Sequence, residues 1–299
     1  MDAYHIPVLL HESISGLEVK PGGDYVDATF GGGGHSREIL NRLGNGRLFA
    51  FDQDADAADN LINDDRFFFI RHNFRFLKNF LAYFGVEKVD GILADLGVSS
   101  HDFNNAERGF SFRFNEKLDM RMNRDAQKNA SEILNSYSET SLAKIFRNYG
   151  EIRNAGKLAS AIVASRTKKT LLTTGQLKDA VKTCIPPKYE NKYLAKVFQA
   201  LRIEVNNELR ALKELLLASL DVLKTGARVC IITYHSLEDR IVKNYFKAGN
   251  FEGIAEKDFY GNIQSPFRIV NNRVIRPSPD EVKNNPRARS AKLRIAEKI

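Results

Sequence analysis

Cysteine is scarce in this chain, and its two examples, Cys184 and Cys230, are far apart and form no pair motif. That argues against a disulfide-stapled secreted fold and leaves two ordinary buried thiols in a reducing compartment. No run approaches the ~20 apolar residues that span a bilayer. The N-terminus, "MDAYHIPVLLHESISG", has neither a basic leader nor a small-residue cleavage site, so no signal peptide is expected and the cytoplasm is. Internal repeats and low-complexity linkers are also missing. There is no C-x-x-C, no H-E-x-x-H and no H-x-E paired with P-C-x-x-C. A zinc-dependent cytosine deaminase is thereby excluded, and no metal site is expected.

What is present is a 299-residue chain, 43% hydrophobic and 27% charged, with 45 Lys plus Arg against 37 Asp plus Glu. The net charge of +8 favours a polyanionic partner such as nucleic acid. The first hundred residues alternate strand and helix signals. Strands are expected at 23–30, 46–54, 66–72 and 89–97. Helices are expected at 36–44, with Ser36 as N-cap, and at 74–85, where Phe76, Phe80 and Phe84 repeat at i, i+4, i+8. Such alternation predicts a parallel sheet covered by helices on both faces.

From about 104 to 212 the strand signal vanishes. Helical segments follow: "SETSLAKIFRNYG", "KLASAIVASRTK" and "TTGQLKDAVKTCI", the last with Thr173 and Gln176 in capping-box spacing. Apolar residues then recur at a 3.6-residue period from Leu194 to Leu223, with a break expected near Asn206-Asn207. "LKTGARVCIITYHS" restores the strand rhythm, and "LEDRIVKNYFKAG" is a further helix. The prediction is a doubly wound, mostly parallel α/β domain of residues 1–103 and 213–299, interrupted by a helical insertion of 104–212 that would recognise RNA.

The chemistry-bearing stretch is "DATFGGGGHS" at 27–36. A glycine-rich turn from a first strand into a helix brings backbone N–H groups and the positive helix end towards a ligand. Asp52 ends the second strand 21 residues after Gly31, the spacing at which a carboxylate accepts both hydroxyls of an adenosine ribose. A dinucleotide fingerprint needs a third glycine where this chain has Ser36, which argues against a nicotinamide enzyme. Asp27 and Asp95, at the ends of the first and fourth strands, suit the cationic groups of S-adenosylmethionine better than a pyrophosphate.

Eight stretches now carry a resemblance: "HIPVLLHESI", "DATFGGGGHS", "GILADLGVSSHDF", "ERGFSF", "LDMRM", "FQALRIEVNNEL", "YHSLEDRIVK" and "NPRARSAKLR". In order and over the chain from residue 5 onward, they resemble the bacterial small-subunit ribosomal RNA cytosine-N4 methyltransferases, the RsmH/MraW family. The resemblance implies a class I, Rossmann-like methyltransferase fold with a helical insertion. It also implies S-adenosyl-L-methionine as methyl donor and a cytidine near the decoding region of 16S ribosomal RNA as target, free or in the assembled 30S subunit; a homodimer is compatible with it.

Carried over by motif, cofactor binding falls to Gly33, Gly34 and His35 in the loop, to Asp52 and Phe74, and to Asp95 and Asp102. The family commonly has glutamine where this chain has Asp102. Asp95 is the leading candidate to accept hydrogen bonds from the target amine, with cofactor binding alone as its other reading. His235 in "YHSLED" is a weaker catalytic candidate; beside Ser236 and Asp239 it mimics a hydrolase triad, but triads assemble in space rather than along the chain. Interleaved arginines and aromatics suit phosphate contact and base stacking, which selects Arg108, Phe110, Arg113, Arg121, Arg202, Arg240, Arg287 and Arg289 for RNA. The segment 103–124 is expected to act as a lid.

Overall fold

A computed structural model describes residues 7–97, 108–261, 263–271 and 273–299. The chain divides into two compact units. One comprises the chain up to Gly97 together with Leu209–Ile299; the other is the intervening chain through Glu208.

The first unit is built on a seven-stranded sheet. Its strands are β1 (Asp24–Asp27), β2 (Arg47–Phe51), β3 (Phe67–Ile70), β4 (Val89–Asp95), β5 (Leu223–Thr233), β6 (Phe267–Ile269) and β7 (Lys292–Lys298). They lie in the order β3-β2-β1-β4-β5-β7-β6. The first five run parallel, whereas β7 is antiparallel to both β5 and β6. The expected α/β class and mostly parallel, doubly wound sheet are therefore present.

Strand periodicity sorts the core onto two faces. Phe49, Phe51, Ile92, Ala94, Val229 and Ile231 pack on one side, against Leu77 and Leu81 of α3 (Leu77–Tyr83). The same layer takes Leu212, Leu215 and Leu216 of α9 (Glu208–Val222), and Val242, Tyr245 and Phe246 of α10 (Ser236–Ala248). The alternate residues Leu48, Leu93, Cys230 and Ile232 face the other way, towards α1 (Leu10–Leu17) and α2 (Gly34–Arg42). Helix α1 was not expected from the sequence; its eight residues include Gly16, where a Cβ would lie 2.4 Å from Ile295.

Because β1 sits between β2 and β4, the connection from β1 leaves to one side and that from β3 returns to the other. The reversal opens a crevice between the carboxyl ends of β1 and β4, the usual ligand position in open α/β sheets.

The second unit has a core of its own, formed by α4 (Ala130–Ser136), α5 (Glu139–Asn148), α6 (Ala155–Arg166), α7 (Thr174–Val181) and α8 (Glu190–Asn206). The expected Thr173–Gln176 capping box is formed. Asn207, at φ 52°, ends α8 where the break in the long periodic run was expected. Helix α4 was missed: it is only seven residues, and its Asn129–Glu132 capping box was not read. Of the 103–124 segment expected to act as a lid, residues 108–124 are described. Within its described part, Leu118, Met120 and Met122 are buried in this core, which fixes the backbone around them.

Candidate active site

The glycine loop starts where β1 ends. Gly33 has φ 74° and is the N-cap of α2, so the helix begins at Gly34 rather than at Ser36. Ser36 has a different task. Its Oγ donates to Asp27 Oδ2 at 2.7 Å, while Oδ1 of the same carboxylate accepts the Thr29 N–H at 3.0 Å. Asp27 is buried, and burial pushes its pKa up despite these donors. It braces β1 against α2 from inside instead of presenting a carboxylate to a ligand, which corrects its reading as a contact for cationic groups.

The glycines are required for different reasons. A Cβ on Gly34 would lie 2.1 Å from Cγ of Pro7, and one on Gly33 would lie 2.9 Å from the Phe30 ring. Both are kept small by the protein's own packing. Gly31, at φ 51°, is the exception: a Cβ there would meet nothing within 4 Å among the described residues. There the left-handed backbone, not packing, favours glycine. His35 is buried with its Nε2 3.2 Å from the Val8 carbonyl oxygen, so its ring ties the N-terminal segment to α2.

Asp52 follows β2 and closes the loop from the far side. Oδ2 accepts the Gly31 N–H at 2.8 Å and Oδ1 accepts the Asp54 N–H at 2.9 Å. Each oxygen keeps a lone pair for a hydroxyl donor. Burial raises the Asp52 carboxyl to about 6, opposed by those two backbone donors and helped by the charges of Asp54 and Asp27. Beside it, Gln53 accepts from Asn73 Nδ2 at 2.7 Å, joining the ends of β2 and β3. Asn73 caps the short turn that starts at Phe74, which is partly buried against the core.

Asp95 ends β4, across the crevice from the glycine loop. Its backbone N–H donates to Thr29 Oγ1 at 2.6 Å, and its Oδ1 accepts the Tyr234 hydroxyl at 2.7 Å. Burial lifts its carboxyl to about 7; the Tyr234 donor opposes that rise, while the charges of Asp27, Glu238 and Glu281 add to it. Asp102, the remaining cofactor candidate, lies outside the described residues.

His235 is a helix cap. Its Nδ1 takes the Glu238 N–H at 3.4 Å, while Glu238 Oε2 accepts the N–H of Tyr234 at 2.9 Å. His235 Nε2 sits 3.1 Å from Glu238 Oε1, with both side chains nearly buried. The ring that suggested catalysis thus starts α10. The residue that sequence reasoning missed is its neighbour Tyr234, present in the same "YHSLED" stretch but given no role.

The RNA candidates separate sharply. Arg108 is buried and donates to the carbonyls of Arg121 and Met122 at 2.6 and 3.0 Å, and Phe110 is buried in the insertion core. Arg121 is paired with Asp119 at 2.7 Å and also donates to the Ala126 carbonyl. Arg202 makes a two-pronged pair with Glu208, both bonds 2.8 Å. These four hold the insertion together, which corrects their reading as RNA contacts. Arg113, Arg240, Arg287 and Arg289 are exposed.

A crevice with a glycine turn, a hydroxyl-binding carboxylate and a second carboxylate opposite is suited to an adenosine-containing cation. Comparison with known proteins bears on this directly: the model of the MraW methylase family matches residues 2–299. The chain belongs to that family. Among MraW-family relatives, the ribosomal RNA small subunit methyltransferase H of Phocaeicola vulgatus is 60% identical over 296 residues, spanning 99% of this chain and 97% of that one. The protein of the same name from Flavobacterium johnsoniae is 55% identical over 297 residues, spanning 99% and 98%. A solved rRNA methylase from Streptococcus thermophilus aligns with a TM-score of 0.45 and 13% identity, over 99% of both chains. No helix among the described residues of this MraW-family chain is long and apolar enough to cross a membrane.

Proposed function

We propose that the protein transfers a methyl group from S-adenosylmethionine to the exocyclic N4 amine of a cytidine in small-subunit ribosomal RNA. Family membership supplies the methylase activity, and the names of its relatives supply the RNA. The residues fit the donor. Gly31 gives an unobstructed backbone cradle, Asp52 offers two lone pairs to ribose hydroxyls, and the first-turn amides of α2 lie beside them. Gly33 and Gly34 let the loop turn tightly enough to make that cradle, and Phe74 adds an apolar wall. When bound, S-adenosylmethionine supplies a methyl carbon on a sulfonium sulfur, which keeps the C–S electron pair and departs as the thioether.

The observation that carries the reading is the state of the Asp95 carboxylate. Oδ1 is held by Tyr234, whereas Oδ2 has no hydrogen-bond partner among the described residues. A cytosine amine is a poor nucleophile because its lone pair is delocalised into the ring. Asp95 Oδ2 accepts a hydrogen bond from that amine, aligns it, and takes one N4 proton as the new C–N bond forms. Positioning of this kind supplies most of the acceleration. Exposed Arg113, Arg240, Arg287 and Arg289 contact RNA phosphates.

The test uses methyl-labelled S-adenosylmethionine with small-subunit RNA from cells lacking the modification, offered naked and as assembled 30S subunits. Label on the N4 of a single cytidine, lost in Asp95→Asn with cofactor still bound, is expected. Label on a ring carbon or another base, or normal turnover by Asp95→Asn, refutes the reading.

A further inference from the structure

We infer that Tyr234 is the positioning residue for Asp95: its hydroxyl locks one carboxylate oxygen and thereby aims the other at the target amine. This rests on the reading of Asp95 as proton acceptor. Asp95 is gripped twice, by Thr29 Oγ1 through its backbone N–H at 2.6 Å and by the Tyr234 hydroxyl on Oδ1 at 2.7 Å. With backbone and Oδ1 both fixed, the direction of Oδ2 is set before any substrate arrives, which is what a positioned acceptor needs.

The surroundings of Tyr234 are built to hold that ring. Its own N–H donates to Glu238 Oε2, so the capping box of α10 fixes its backbone immediately after β5. On the other side, a Cβ on Gly97 would lie 3.2 Å from the ring, and Gly97 has φ 121°, a conformation suited to glycine. The chain after Asp95 is thereby shaped to admit the phenol.

A phenol also has the right chemistry. The charges of three carboxylates act on Asp95: Asp27 from β1, Glu238 from α10 and Glu281 from α11 (Pro279–Asn284). Glu281 is itself anchored, accepting the Leu9 N–H at 2.8 Å. Each opposes ionisation of Asp95, and the Tyr234 donor is the side chain that favours it. The phenol resists losing its proton, because burial and the adjacent Asp95 charge push its pKa well up. It therefore remains a donor throughout the working pH range.

Tyr234→Phe removes only the hydroxyl. Expected is a fall in kcat of about tenfold or more with S-adenosylmethionine saturating, since hydrogen bonds to charged groups are the strong class. A second readout needs no turnover: the Asp95 side-chain carbon titrated by NMR in the unliganded protein should show its midpoint displaced to higher pH in Tyr234→Phe. A third is a double-mutant cycle read in the free energy of unfolding, in which the phenylalanine costs less in the Asp95→Ala background than in the wild type. Should Tyr234→Phe fail to fold, Tyr234→3-fluorotyrosine, a stronger donor, should move the midpoint down.

An unmoved midpoint, an unchanged kcat, or the same loss in both backgrounds overturns the inference. If Asp95→Asn itself turns over normally, the acceptor reading fails first. The NMR midpoint then still reports whether Tyr234 holds the carboxylate.

Discussion

Raising the pH from 6.0 to 7.5 should strengthen binding of S-adenosylmethionine to this protein, and the size of the gain follows from two carboxylates. Asp52 titrates at about 6 and Asp95 at about 7, both lifted chiefly by burial. A ligand that brings hydroxyl donors to the first and positive charge near the second binds the ionised forms. Its apparent dissociation constant then scales as the product of 1 + 10^(pKa − pH) over the two groups, which falls about 15-fold between pH 6.0 and 7.5. An ordinary α-amino group titrates at the upper edge of that window, so loss of the ligand's own ammonium trims the gain by about 1.5-fold. At pH 7 about 0.6 of a proton should be released per ligand bound, mostly from Asp95. Titration calorimetry measures both quantities when repeated in buffers of different ionisation enthalpy. In Asp95→Asn the pH dependence should shrink to about twofold, the share left to Asp52. An affinity that is flat across the window, or an unaltered slope in Asp95→Asn, would refute the linkage and the assignment of these carboxylates to the ligand.

The glycine loop offers a paired test. Gly31→Ala puts a methyl into open space at φ 51° and should cost about 1 kcal/mol of stability while abolishing most cofactor affinity; Gly33→Ala, at φ 74° and crowded by Phe30, should lower the thermal midpoint more. Unliganded stability should fall as pH rises from 5.5 to 7.5. Asp27, Asp52 and Asp95 all have raised carboxyl pKa values, so they favour folding while protonated and lose that contribution as each ionises. Scanning calorimetry at the two pH values checks the sign, and a higher midpoint at pH 7.5 would contradict it. Among the arginines, Arg113→Ala and Arg289→Ala should each reduce the salt dependence of RNA binding by about one counterion without moving the thermal midpoint. Arg202→Met should instead destabilise the fold by about 3–5 kcal/mol, because it leaves Glu208 nearly buried without its partner.

The parts of this architecture that were legible in the sequence are those in which a single element carries its own signal. The strand–glycine–helix unit, the acids at 27, 52 and 95, and the helix break at Asn207 each announce themselves within a few residues. What was not legible depends on partners distant in the chain. "RSAKLRIAEK" reads only as a closing run; its place as β7, antiparallel between β5 and β6, is set by Ile295 and Leu293 meeting the α1 side of the sheet. Ser36 looks like a cap because serine precedes an apolar period, but the buried Asp27 carboxylate nine residues earlier claims its hydroxyl. Tyr234 passed unnoticed since nothing local shows that β4, far away in sequence, delivers Asp95 to its hydroxyl.

The arginines show the same limit more sharply, and they also clarify how charge is divided. A guanidinium has five N–H donors and suits a phosphate and a pair of backbone carbonyls equally well. Composition therefore counts Arg108 towards a polyanion surface, whereas the fold uses it to hold the 121–122 backbone. The net +8 is an excess over the whole chain, and it acts at long range on a polyanion. Around Asp95 the balance is reversed: the charges of Asp27, Glu238 and Glu281 all act to raise its carboxyl. Those charges oppose ionisation of Asp95, and a cation entering the crevice favours it. The basic surface can gather RNA without distinguishing it from other polyanions, while the acidic crevice selects the cationic donor. Neutralising exposed arginines should accordingly weaken RNA binding and leave donor affinity and its pH dependence unchanged.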